Sequence, residues 1–457
     1  MAVQARNLRV DNGGQIGANT FGSGDAGRLQ IATTEDILLS SGSVLGPSGL
    51  FATSDVLGNG NGGAIELLAE HLVMEQGAQA VTTSFSQGTS GSIAIEASQV
   101  SLTGTSEPIA IPLPPTPPEG PPGIPPEGLS GILPEGPSGI LPEGPPEDSP
   151  IGDIAPVFVN PTLLQSGMGP LSQGQGGGIT INADRVSVTG GAEISTGTFG
   201  AGNAGALNIF SEDVTVAGFS PIEGPSGIFT TVNFGAAGNG GDLAIETNRL
   251  QVLDGAQIAT STAGSGTAGN LIVKGTSVLA SGRTQQGRSG LFATAIGSTG
   301  AGGNLRLDAD TVTVQSGATL SVSNFASGEN SPVPPGQGAA GDLQVNATEI
   351  LLRDRGLLSA DTAAGDRGNI GIATNVLTLR NASRITTNAT STATGGNIDI
   401  TATGFVVAVP TENSDITANS VFGDGGRVTI AAQNVLGLAV QPSLTAQSDI
   451  TASSEFG

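Results

Sequence analysis

The stretch that decides the fold is GAGNAGALNI, Gly200 to Ile209. Gly200, Gly202 and Gly205 carry the G-x-G-x-x-G spacing that cradles a dinucleotide pyrophosphate in a Rossmann unit. That reading needs one such loop with a helix after it. Here the string recurs as GSGDAG at 22–27, GNGNGG at 58–63 and GSGTAG at 264–269. The four copies run on into RLQI, AIEL, ALNI and NLIV, an alternation of apolar and polar residues. Alternation is the period of a strand, so strands come after these glycines and the nucleotide reading fails.

With the last glycine as an anchor, related positions fall at Gly27, Gly63, Gly91, Gly177, Gly205, Gly241, Gly269, Gly303, Gly341, Gly368, Gly396 and Gly426. The unit is roughly 28 residues, lengthened in places by insertions. The second residue after every anchor, from Leu29 to Val428, is Leu, Ile or Val, and so is the fourth, from Ile31 to Ile430. The unit then continues. After Gly241, Leu250 and Val252 form a second alternating pair, Gly255-Ala256 turns the chain, and Ile258 begins a third strand; Val186, Val188, Gly191-Ala192 and Ile194 repeat those offsets. Three short strands per unit describe one coil of an all-β solenoid, a parallel β-helix of about 12 coils. A single coil buries too few aliphatics to offset the entropy of ordering its backbone, so coils must stack. The glycines are assigned to coil corners, where they supply positive φ and close backbone approach.

Composition agrees. The 457 residues include 73 glycines, one lysine (Lys274) and no Cys, Trp or Tyr, yet 37% are hydrophobic. That is enough apolar material to order a glycine-rich chain if it is regularly placed. A net charge of −24 argues against nucleic acid as a partner, which would require clustered cations. Without cysteine there is neither a disulfide framework nor a thiolate metal site. No apolar run is long enough to span a bilayer. The opening MAVQARNLRVDNGG lacks the pattern of a signal peptide.

The chain divides into three regions: coils over 1–106, a Pro/Gly/Glu-rich insertion over 107–150 expected to be a disordered loop, and coils continuing over 151–457. A smaller proline segment, NSPVPPGQ, occupies 330–337. The longer units carry GPSGLFAT (46–53), GPSGIFTT (224–231) and GRSGLFAT (287–294), expected to widen a corner into a shoulder. Phe51, Phe229 and Phe292 would stack inward there or cap it. Counted backwards, the template places Leu8, Val10 and Ile16 in a first coil, and NSDITANSVFGDGG (413–426) is echoed by QSDITASSEFG (447–457). Both ends are expected to cut through a continuing solenoid.

Catalytic chemistry is sparse. His71, the single histidine, is expected to point outward into solvent, and no Ser-His-Asp set can be assembled around it. Asp242, Asp308, Asp310, Asp342 and Asp399 recur near strand starts as outward positions do, without the convergence that an acid–base pair requires. No calcium-binding nonapeptide occurs. Missing Trp and Tyr removes the usual sugar platforms. A flat, ice-binding type of threonine row is suggested by Thr196, Thr198, Thr260, Thr262, Thr386 and Thr387, but Val322 breaks it. Asn346, Asn381 and Asn388 head glycosylation-type tripeptides. No catalytic, cofactor-binding or metal-binding residue is assigned, and no cofactor is expected.

The G[GA]xLxI units, the VxVxxGAxI segments, the GPSGLFAT shoulders and the paired NSDITANSVFGDGG and QSDITASSEFG resemble the filamentous-haemagglutinin-like exoproteins of two-partner secretion systems, cyanobacterial versions above all. The resemblance covers nearly the whole chain outside 107–150. It implies a right-handed parallel β-helix, a secreted or cell-surface location and an outer-membrane two-partner-secretion transporter as the partner of a larger parent protein. It also implies an adhesive or structural role without enzymatic activity, the receptor being unspecified. The alternative is a β-helical carbohydrate-active enzyme, a lyase or hydrolase.

Overall fold

Leu29 and Ile31 meet Ile65 and Leu67 in parallel register, those meet Ile93 and Ile95, and those in turn meet Ile179 and Ile181. In the computed structural model this step repeats along a path of 13 hydrogen-bonded strands, with a second parallel sheet of 14 strands alongside. The fold is a parallel β-helix. The structure describes every residue except 44–45, 56–59, 107–108, 111–156, 159, 325–335, 364–367, 391–392 and 455–457. Contacts divide the chain into one unit of Met1–Glu107 with Val159–Gly457, which holds all the coils, and a second of Pro108–Phe158. In the second, Ile109–Ala110 pairs antiparallel with Val157–Phe158. The expected disorder of the proline-rich insertion otherwise falls outside the described residues, as does most of the 330–337 segment.

The three strands expected per coil are gathered into two sheets, because the first and second merge into one strand of 11 residues, as in Ile93–Thr103. A bend remains inside it. Ile93 and Ile95 are buried, then Val100 and Leu102, so the inward side switches from odd to even positions. The register passes from Ala97↔Ala69 to Gln99↔His71 and leaves out Ser98 and Glu70 between them. One residue out of step turns the strand while both of its halves still face one core. The second sheet takes the shorter strands, such as Gln79–Ser84, Leu163–Met168 and Glu193–Thr198.

Of the aliphatic positions two and four residues after the anchors, all are buried except Val428 and Ile430 in the last coil, which are half-buried. The core they form contains no aromatic residue among those described. Branched aliphatics repeat at one spacing with little change of volume, which lets identical rungs nest along the axis.

The anchor glycines serve close approach and not positive φ. From Gly63 to Gly426, a Cβ built on each would overlap the carbonyl of the preceding coil's anchor: Gly205 on Gly177, Gly269 on Gly241, Gly303 on Gly269. Gly202 and Gly266 meet Gly174 and Gly238 in the same way, so the G-x-G-x-x-G string is a column of backbone against backbone. The glycine carbonyls are met from inside the coil. Thr82 donates to Gly91 O at 2.7 Å, Thr196 to Gly205 O at 2.7 Å and Thr387 to Gly396 O at 2.8 Å.

Left-handed backbone is concentrated in the opposite turn, between the two sheets. Gln76-Gly77 has φ of 54° and 81°, and Asp254-Gly255 has 54° and 88°, the two positive values of a type I′ turn. The shoulder motif caps this turn. Buried Ser48, Ser226 and Ser289 accept from the turn glycines Gly13, Gly191 and Gly255 at 2.8, 2.8 and 2.7 Å.

Two substitutions separate these roles. Gly269→Ala is expected to cost at least about 2 kcal/mol, because neither backbone can retreat without breaking the stack. Ala382 sits at φ 61°, at the turn position that Gly77, Gly255 and Gly317 occupy in other coils. Ala382→Gly is expected to stabilise by up to about 1 kcal/mol by releasing left-handed strain. Urea unfolding midpoints of both variants against wild type check the pair.

Candidate functional site

The second sheet shows one face to the core and one outward, and the outward face is where side chains gather. Along Gly-Leu-Phe at 49–51 and Gly-Ile-Phe at 227–229, Leu50 and Ile228 point inward, so the phenylalanines point out. The inward stacking considered for Phe51, Phe229 and Phe292 is therefore corrected: the residues that enter the core beside them are Leu50, Ile228 and Leu291, and Phe292, although buried at 3% exposed, lies outside that core cluster. The glycine two residues earlier shares the outer face, and the ring of Phe229 lies over Gly227 where any Cβ would overlap it.

The threonine row turns the other way. Thr196, Thr198, Thr260, Thr262 and Thr387 face the interior and are buried, with Thr198 and Thr262 donating to Gly202 O and Gly266 O at 2.6 and 2.7 Å. They form no flat outer array. Thr386 does lie on the outer face, where it donates to Asp361.

The scattered acids have structural partners. Asp242 Oδ1 accepts from Asn270 N at 2.7 Å, and the pattern passes along the axis through Asn304, Asp342, Asn369 and Asn397 to Arg427 N at 3.1 Å. Asp242 and Asp342 are thus members of an asparagine-type ladder. Asp308 bonds Arg306 at 2.7 Å and accepts from Asn346 at 2.7 Å, Asp399 lies 3.6 Å from Arg427, and Asp310 occupies the bend of its long strand. His71 Nδ1 meets Asp36 Oδ1 of the preceding coil at 2.9 Å, half-exposed, so it pairs with an acid across two coils. Asn381 donates to Asp354 at 2.7 Å, and Asn388 Oδ1 accepts from Asn419 N at 2.9 Å. Among the described residues, no three His, Cys, Asp or Glu side chains could hold a metal ion together. Nor is any helix among them long and apolar enough to cross a membrane.

One place on the outer face breaks the repeat. Thr83, Gly167, Gly197 and Thr231 occupy one column in register, so two glycines lie between two threonines. Neither glycine has positive φ. A Cβ on Gly167 would have no neighbour nearer than 3.7 Å, and one on Gly197 would come no closer than 3.2 Å. In contrast to the anchors, the backbone does not require glycine here. Their missing side chains floor a cleft of about 520 Å³, walled by Phe85, Phe199 and Phe229. Phe85 and Phe199 are 38% and 49% exposed.

Polar residues line this cleft as well, among them Ser195, Gln165 and Glu193. Ser195 is 7% exposed and its hydroxyl makes no hydrogen bond. Gln165 lies beside it in register. Glu193, two residues earlier on the same face, has its carboxyl pushed up to about 7, chiefly by burial and then by the neighbouring charge of Glu223. No hydrogen bond offsets that burial. Farther along the sheet, Arg288, Arg355, Arg384 and Asp361 line a second cleft of about 500 Å³. There Asp361 is held by Ser359, Thr386 and Asn388 N at 2.8, 2.9 and 2.7 Å, and burial raises its pKa.

Sequence reasoning overlooked Glu193, Phe85, Phe199 and the Gly167–Gly197 pair. A usable signal existed, since these glycines fall at strand positions where neighbouring coils carry threonine. Glu193 also sets a pH test. Its folded pKa lies above its ordinary 4.5, so the folded state keeps a proton that the unfolded chain has released. Its contribution is complete below about pH 4.5 and is lost as pH rises through about 7, up to about 3 kcal/mol in all. The urea midpoint of wild type is expected to fall over that window relative to Glu193→Gln, and parallel pH curves would contradict the assignment. No family model, curated protein or solved structure matches the chain.

Proposed function

We propose that the chain is a non-enzymatic β-helical shaft of a secreted or cell-surface adhesin, of the filamentous-haemagglutinin-like kind, exported as part of a larger exoprotein by an outer-membrane two-partner-secretion transporter. The observation that carries the reading is the unbroken stack itself. Thirteen strands succeed one another in parallel register with the same aliphatic rungs, which at about 4.8 Å per coil gives roughly 60 Å of rod. Such a stack transmits length and presents loops and one sheet face at regular intervals.

The carbohydrate-active alternative has one observation in its favour, Glu193, whose elevated pKa suits a general acid. Glycoside hydrolysis ordinarily needs a second carboxyl across the scissile bond. Glu193 is the only Asp or Glu among the described residues that line the cleft. Incubated with a panel of neutral and acidic polysaccharides, with and without chelator, the chain is expected to release no new reducing ends or unsaturated products. Turnover that disappears in Glu193→Gln would replace the shaft reading with the enzymatic one.

A further inference from the structure

We propose that the cleft floored by Gly167 and Gly197 binds a neutral saccharide, with one hexopyranose ring of a glycan seated among Phe85, Phe199 and Phe229. The inference deepens the adhesin reading and rests on its non-enzymatic character. Its first support is that the hollow is not a by-product of the fold. A side chain fits at Gly167 and, after a shift of a few tenths of an ångström, at Gly197, yet both positions are empty side by side while Thr83 and Thr231 fill the same column on either side. The resulting volume of about 520 Å³ falls within the range of small-ligand sites, roughly 300–1,000 Å³.

The lining then selects the chemistry. A purely apolar ligand would leave the Ser195 hydroxyl and the Glu193 carboxyl buried without partners, which is costly. An anionic ligand would find no arginine or lysine among the described residues that line the cleft, and would meet Glu193. A neutral pyranose offers both things the cleft lacks: C–H faces for the exposed rings of Phe85 and Phe199, and hydroxyls at its edge for Gln165 and Glu193. The Ser195 hydroxyl beneath this lining is buried with its donor and acceptor unused.

The test uses the full chain with cellotriose, maltotriose and mannotriose, each at about 10 mM because a site for a single ring binds weakly. Saturation-transfer NMR reads contact and calorimetry reads affinity. At least one trisaccharide is expected to bind. The Gly167→Thr/Gly197→Thr double variant is expected to lose at least about tenfold in affinity while its unfolding midpoint stays at or above wild type, since threonine already occupies the flanking rungs and suits strands. Phe199→Ala, at an exposed ring, is expected to weaken binding without unfolding the coil. Failure of all three sugars to bind, or a folded double variant that binds as wild type does, overturns the inference and leaves the shaft reading intact. Cleavage of a bound trisaccharide overturns the non-enzymatic reading instead.

Discussion

Everything in the coil stack depends on how near two backbones can come at the glycine corner. Gly177, Gly205, Gly241, Gly269 and Gly303 lie one above another so closely that a methyl group on any of the later ones would overlap the carbonyl beneath it. The strand spacing of a sheet, about 4.8 Å, is fixed by hydrogen bonding, and the corner must keep that spacing where the chain leaves the ladder direction. Only a residue without Cβ can do so. The inner threonines then satisfy the glycine carbonyls that the tight corner turns inward, so the corner carries its own hydrogen bonds. Aliphatic rungs supply the driving force for stacking, but the corner sets the pitch at which they nest.

Polar residues obey the same pitch. An acceptor at the position after the anchor reaches the backbone N–H of the next coil, and Asp242, Asn270, Asn304, Asp342, Asn369 and Asn397 do this in succession. Aspartate serves as well as asparagine because the ladder's backbone contact uses only the acceptor oxygen. That accounts for acids recurring at regular intervals without any of them converging on a substrate. It also shows how a chain of net charge −24 keeps a regular stack: part of its carboxylates are hydrogen-bonded along the axis or paired with arginine, as Asp308 is with Arg306.

The architecture was legible in the sequence because it is carried by side-chain type at fixed spacing. The paired Leu, Ile and Val after each anchor, and the first-coil positions of Leu8, Val10 and Ile16, lie where the spacing put them. Orientation was harder to read. Whether Phe229 or Ile228 faces the core depends on a single step of parity, and both residues are apolar, so only the strand register decides it. Thr196 and Thr198 look like an outer row from composition alone; their inward orientation is tied to the carbonyls of Gly205 and Gly202, which belong to a different corner of the coil. The role of glycine was half legible. Close approach and positive φ both favour glycine, and the sequence cannot tell Gly205, which serves the first, from Gly255, which serves the second.

The cleft was the least legible feature, for a reason inherent in repeats. A solenoid hides its sites, because the pattern that reveals the fold is what every coil shares, whereas a site is a departure from it. Gly167 and Gly197 are ordinary in a chain with 73 glycines until the backbone shows that neither is needed for approach or for φ. Glu193 is one acid among many until its place on the outer face, beside an unbonded Ser195 and three phenylalanines, draws it partly out of water. In such a molecule, glycines that the backbone does not demand mark hollow places, and polar groups left without partners mark what those hollows are shaped to receive.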